Sequence, residues 1–181
     1  IDAAGIADTV AQVGIEAVIF LGAQEELGAM IAELANLVPV PRIYLLSSLM
    51  SRPLANLPGV FDQRVFLAYP TMSSDISPRG REEYQGLAKT YSWSNDHIQA
   101  RLASLAAAKL FVEGLRKAGR DLSRVRLVEG LESLYAFETG VTPPLSYGPN
   151  RRIGALGAHI VTVDLANKTY TPVGDGWFEV K

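Results

Sequence analysis

Along the first part of the chain the apolar residues alternate between two periods. Ile6, Val10 and Val13 recur at helical spacing across residues 3–13, and Gly14 closes the run as a C-terminal glycine does. Ala17-Val-Ile-Phe-Leu21 is continuously apolar, which predicts a strand buried on both faces and therefore a parallel sheet. Gly22 supplies a turn, and Glu25 and Glu26 open a helix that turns Leu27, Met30, Ile31, Leu34 and Ala35 inward and stops before Pro39 and Pro41. Arg42-Ile-Tyr-Leu-Leu46 and Val65-Phe-Leu-Ala-Tyr69 are the next two buried strands. Pro53, Pro58 and Gly59 mark the loop between them, with room for one helical turn. Helices that alternate with apolar strands predict right-handed crossovers in a doubly wound α/β sheet.

The period changes after Pro70. Thr71 to Pro78 is polar with turn chemistry, and helical spacing then runs over Arg79–Tyr91, Asp96–Ala118 and Arg124–Leu134. In the long middle helix Ile98, Leu102, Leu105, Leu110 and Leu115 share one side, and Ala103, Ala106, Ala107 and Ala108 allow close packing. Gly119 caps its end and Ser123 caps the start of the next helix. From Leu145 the pattern returns to strands, with His159–Val163 and Lys168–Thr171 facing each other across Asp164 to Asn167.

Composition narrows the chemistry. The 181 residues are 48% hydrophobic and 20% charged, as in a globular protein with a sizeable core, and no apolar run is long enough to cross a bilayer. A net charge of −2, with arginines scattered among acids, gives no electrostatic footprint for nucleic acid. The absence of cysteine removes disulfides and thiolate chemistry, and is compatible with an oxidising compartment. A start at Ile1, with neither initiator Met nor signal segment, reads as a processed product or an excised fragment.

Candidate reactive groups are few. His97 and His159 are the only histidines and lack metal-binding spacing, so they read as surface or strand residues. Glu25 and Glu26 fit the first turn of a helix better than an acid/base pair. Ser47 and Ser48 lie in no G-x-S-x-G elbow, but short hydroxyls at a strand end can hydrogen-bond a small polar ligand. Gly22 lacks the further glycines of a phosphate-binding fingerprint, so no nucleotide cofactor is expected. Trp93 and Trp177 read as packing or interface residues, and Arg151, Arg152, Arg120, Arg124 and Arg126 as solvated faces.

Two segments, Gly114-Leu-Arg-Lys-Ala-Gly119-Arg-Asp-Leu-Ser123 and Phe137-Glu-Thr-Gly140-Val-Thr-Pro-Pro144-Leu-Ser-Tyr-Gly148-Pro-Asn150, combine helix stop, helix start and a Gly/Pro-punctuated strand entry. In this order they resemble the type I periplasmic binding proteins, in the branch of branched-chain amino-acid receptors of ABC transporters. The chain resembles the C-terminal half of that family, in which two α/β lobes joined by three hinge strands hold a small ligand in the cleft between them.

The resemblance implies a fragment with three parts: 1–72 as second-lobe α/β sheet, 73–138 as helices belonging to the first lobe, and 139–181 as a return to the second lobe. It implies ligand contacts from backbone groups of Gly22 and Ala23, from Gln24, and from the hydroxyls of Ser47, Ser48 and Tyr69. Ala23 and Gln24 stand where the family carries an aromatic side chain, and Ser48 where amino-acid-binding members carry an acid.

The function implied is that of an extracytoplasmic receptor, periplasmic or extracellular, that passes an amino acid or small carboxylate-like solute to an ABC permease. It needs no cofactor and no catalysis. A ligand-sensing regulatory domain of a signalling protein and a small α/β enzyme are the alternatives. The helices between Arg79 and Leu134 would normally cover a sheet this half cannot build, so a dimer or swapped assembly is expected.

Overall fold

The computed structural model describes residues 1–49, 57–94 and 97–179. The chain divides into two compact units, one of Ile1–Tyr69 with Ala158–Phe178 and the other of Pro70–Gly157 with Glu179. The loop at Pro53 and the expected helix start at Asp96 lie outside the described residues.

Unit 1 is a sheet in the order β1-β2-β3-β4-β5, with strands Ala17–Ile19, Arg42–Leu46, Val65–Tyr69, Gly157–Asp164 and Thr169–Glu179. The pairs β1/β2 and β2/β3 are parallel, and β4 runs antiparallel to β3. Register puts Val18, Ile43 and Val65 on one face, with Leu45, Leu67, Val161 and Val163 beside them, and apart from half-buried Val18 these are at most 3% exposed. Two helices pack on each other, α1, Ala3–Val13, and α2, Gln24–Leu34, and Ile6, Thr9 and Val10 of α1 border Val18 of β1.

α1 begins where the Asp2 carboxylate accepts from the Gly5 N–H, and ends at Gly14, whose φ of 72° is the left-handed conformation that favours glycine. The opposite face of the sheet is apolar yet open. Ile19 is 73% exposed and Leu46 49%, with Tyr44 and Phe66 stacked at 4.9 Å between them. The expectation that the first strand is buried on both faces is therefore corrected. β1 lies at the sheet's edge, nothing covers its Ile19 face among the described residues, and Leu21 beyond it is 77% exposed. Val13 likewise faces solvent, because the buried stripe of α1 is centred on Ala7 and Val10.

Unit 2 is helical, with α3 over Pro78–Thr90, α4 over Ile98–Ala118 and α5 over Arg124–Glu132. Ser77 caps α3 by accepting from Gly80 N–H, and Ser123 caps α5 by accepting from Arg126 N–H. Gly119 ends α4 at a φ of 75°. Leu102, Ala106 and Val141 form a small core with Ile76, Tyr84 and Leu105 packed against it. Residues 139–141, expected to return to the sheet, pack here with the helices. Ser77 N–H donates to the Gly140 carbonyl at 3.0 Å, Lys109 bonds both Glu83 and the Thr139 carbonyl, and the boundary falls after Gly157.

Gly80 meets Gly140 backbone to backbone, so a Cβ on Gly80 would overlap the Gly140 carbonyl, whereas Gly86 on the same helix faces open space. Gly80→Ala is expected to destabilise unit 2 by about 1–3 kcal/mol through overpacking. Gly86→Ala is expected to stabilise it by about 0.5–1 kcal/mol, because glycine loses more backbone freedom in a helix. Denaturant melts of the two variants check the opposite signs.

Candidate functional site

The sequence-derived ligand residues belong to three consecutive strand ends of unit 1. Because β1, β2 and β3 are parallel, Gly22–Gln24, Ser47–Ser48 and Tyr69 come out at the same edge of the sheet. Neighbouring strands lie about 4.8 Å apart, so this edge spans roughly 10 Å from the β1 end to the β3 end, enough for a small solute.

Each position has a local cause. Phe20 is buried and its ring lies under Gly22, where a Cβ would stand 2.6 Å from the ring, so a side chain there would have to displace the ring. Gly22, Ala23 and Gln24 are exposed, and the Glu26 carboxylate accepts from the Ala23 N–H at 3.3 Å as α2 begins. Ser47 and Ser48 sit in a single turn of 3-10 helix, Ser47–Leu49, directly after β2, with Ser47 half-buried and Ser48 exposed. Tyr69 ends β3, half-buried, its ring edge-on to Tyr170 at 6.0 Å. Burial, and then the neighbouring Tyr170 hydroxyl, push the Tyr69 phenol up to about 12.

Three residues that the sequence did not single out as ligand groups gather beside Tyr69. His159 of β4 is its direct antiparallel partner, so the two side chains share a face, and Trp177 meets the His159 ring edge-on at 4.9 Å. Tyr170 is the third. The antiparallel return of β4 is what brings His159 to this edge, and that register was the missing signal. His97, by contrast, precedes α4 in unit 2 in a left-handed conformation.

Three cavities lie elsewhere in the two units. In unit 1 one of about 470 Å³ lies between α1 and β1. In unit 2 an apolar one of about 380 Å³ sits between α4 and α5, and one of about 910 Å³ with a mixed polar and apolar lining includes Lys109. None is lined by the candidate ligand residues. Among the described residues no group of three His, Asp or Glu side chains could hold a metal ion, and no helix is long and apolar enough to cross a membrane.

No protein-family model matches the chain. No curated protein matches it either. Solved structures do. A branched-chain amino-acid ABC transporter protein from Thermus thermophilus with bound valine superposes with a TM-score of 0.71 at 15% identity, over 99% of this chain and 50% of that one. An ABC-transporter substrate-binding protein from Aeropyrum pernix gives 0.76 at 14% identity, over 99% and 48%. A fatty-acid ABC transporter substrate-binding protein from Thermomonospora curvata gives 0.65 at 16% identity, over 98% and 46%. At these identities the likeness is one of fold: the chain folds as one half of such a substrate-binding protein and spans about half the length of the structures it matches.

Tyr69 offers a direct probe of the edge. A phenol whose folded pKa lies above its unfolded value keeps its proton more tightly when folded. Its contribution to stability is complete below pH 10 and is lost as the pH rises towards about 12. Phenolate absorbance is expected to show one late-titrating tyrosine that Tyr69→Phe removes, and the variant is expected to lose less stability than the native chain across that interval.

Proposed function

We propose that unit 1 supplies one wall of the ligand site of an extracytoplasmic solute receptor, periplasmic or extracellular, which captures a small polar solute reversibly and hands it to an ABC permease. The observation that supports this most is the convergence of Gly22–Gln24, Ser47–Ser48 and Tyr69 at the carboxyl ends of three parallel strands. In open α/β sheets that edge is where ligands bind. The fold likeness to ABC-transporter binding proteins points the same way.

The chemistry is that of recognition. Ser47 and Ser48 offer hydroxyls that both donate and accept, Tyr69 offers a phenol that stays protonated at neutral pH, and Gly22 leaves room for close backbone approach. There is no carboxylate at the Ser48 position to pair with an ammonium group. The solute favoured is therefore one whose polar end is hydrogen-bonded without a salt bridge from this wall, such as a small carboxylate-like compound. Residues 73–138, with the rest of unit 2, would belong to the partner lobe of such a receptor.

A thermal-shift screen against amino acids, short carboxylates, amides and aromatic acids tests the proposal. A solute held in the folded state at a hundred times its Kd adds about 2.7 kcal/mol of stability. One chemical class is expected to raise Tm, with the rise reduced in Ser48→Ala and in Tyr69→Phe. A rise that both variants retain in full would place binding elsewhere.

A further inference from the structure

The aromatic side chains at the end of β3 continue a row that begins with a hydroxyl. Register pairs Leu46 of β2 with Ala68 of β3, so Ser47, one step further along, comes level with Tyr69. His159 of β4 is paired with Tyr69 on the other side. Neighbouring strands lie about 4.8 Å apart, so the row from Ser47 through Tyr69 to His159 spans roughly 10 Å. All of it belongs to unit 1.

The row changes character along its length. At β2 it is hydroxylic, with Ser47 half-buried and Ser48 exposed. From β3 onward it is aromatic. Tyr69 and His159 are direct partners, so their side chains stand on one face about 5 Å apart. Tyr170 meets the Tyr69 ring edge-on at 6.0 Å, and Trp177 meets the His159 ring edge-on at 4.9 Å. Tyr69, His159 and Trp177 are half-buried and Tyr170 is 38% exposed, so the group both packs together and reaches solvent. Gly176 is buried and left-handed, with a φ of 88°. A left-handed glycine inside a strand, as in a β-bulge, re-aims the side chain that follows it, and here that side chain is Trp177.

The two ends of the row take different chemical groups. Serine hydroxyls donate to a carboxylate oxygen without supplying charge. Rings already paired edge-to-face favour a further ring in the same arrangement, which gains more than its apolar area alone. An ammonium group fits this end poorly, because His159 gains positive charge when it is protonated. We infer, resting on the strand-end solute site proposed above, that Tyr69, His159 and Trp177 form an aromatic side wall of that site, and that its solute is an aryl carboxylate. The ring lies on the wall and the carboxylate reaches Ser47 and Ser48.

Two acids of similar size, phenylacetate and cyclohexylacetate, separate the wall from the site. The chain of residues 1–181 is titrated with each, and dissociation constants are read from amide and indole chemical shifts. Phenylacetate is expected to bind about two- to tenfold more tightly, the size of one ring contact beyond its area. Trp177→Leu and His159→Leu are each expected to bring that ratio towards unity, with thermal melts showing that the variants fold. Tyr170→Leu, at an exposed ring, is expected to lower the ratio as well and serves where a half-buried substitution unfolds the chain. Ser48→Ala is expected to weaken both acids alike and leave the ratio. Equal binding of the two acids by the native chain would overturn the wall and leave the solute site standing. A ratio unchanged by Trp177→Leu and His159→Leu would overturn the wall too, and binding of neither acid would overturn wall and site together.

Discussion

Parallel pairing of β1, β2 and β3 is the constraint on which the rest of unit 1 depends. Strands that run the same way cannot be joined by tight turns, so each connection must return over a face of the sheet, and α2 does so between β1 and β2. The same constraint sends β1, β2 and β3 out at one edge of the sheet, so Gly22, Ser48 and Tyr69, distant in sequence, lie at that edge. The two faces of the sheet differ: Ile43, Leu45, Val65 and Leu67 on one are buried, while Ile19 and Leu46 on the other are exposed.

Unit 2 is held by a different device, backbone approach at glycine. Gly80 against Gly140 fixes α3 to the 139–141 segment, and Gly130 lies against the Gly114 carbonyl so that α5 can close on α4. Lys109 adds a charged bridge from α4 to Glu83 of α3 and to the Thr139 carbonyl. Where two backbones touch there is no side chain to repack, so such contacts tolerate substitution poorly.

The elements that were legible in the sequence are those whose signals are local. Apolar runs marked β2 and β3, Gly14 and Gly119 marked helix ends, and Ser123 marked a helix start, all as the structure has them. What failed was whatever depends on neighbours. The apolar run at Ala17–Leu21 signals burial equally for a central strand and for an edge strand with an open face, so the exposure of Ile19 and Leu21 was not readable. The packing of residues 139–141 with the helices turned on Gly80 and Lys109, which lie far away in sequence. At the candidate edge the strand-end residues could be read from connectivity, but His159, Tyr170 and Trp177 arrive through β4 and β5, and no local pattern announces an antiparallel register.

The division of the chain carries a consequence for its history in the cell. Unit 2 is nearly continuous, whereas unit 1 is assembled from the two ends of the sequence. β3 cannot pair with β4, nor the Asp62 carboxylate accept from Leu165 N–H, until everything between them has been made. On a ribosome that extends the chain from its N-terminus, the helical unit can therefore complete its contacts while the sheet still waits for its last strands. Once folded, that helical insert brings the ends of the intervening loop closer than a random coil would, which lowers the entropy lost when β4 finally docks.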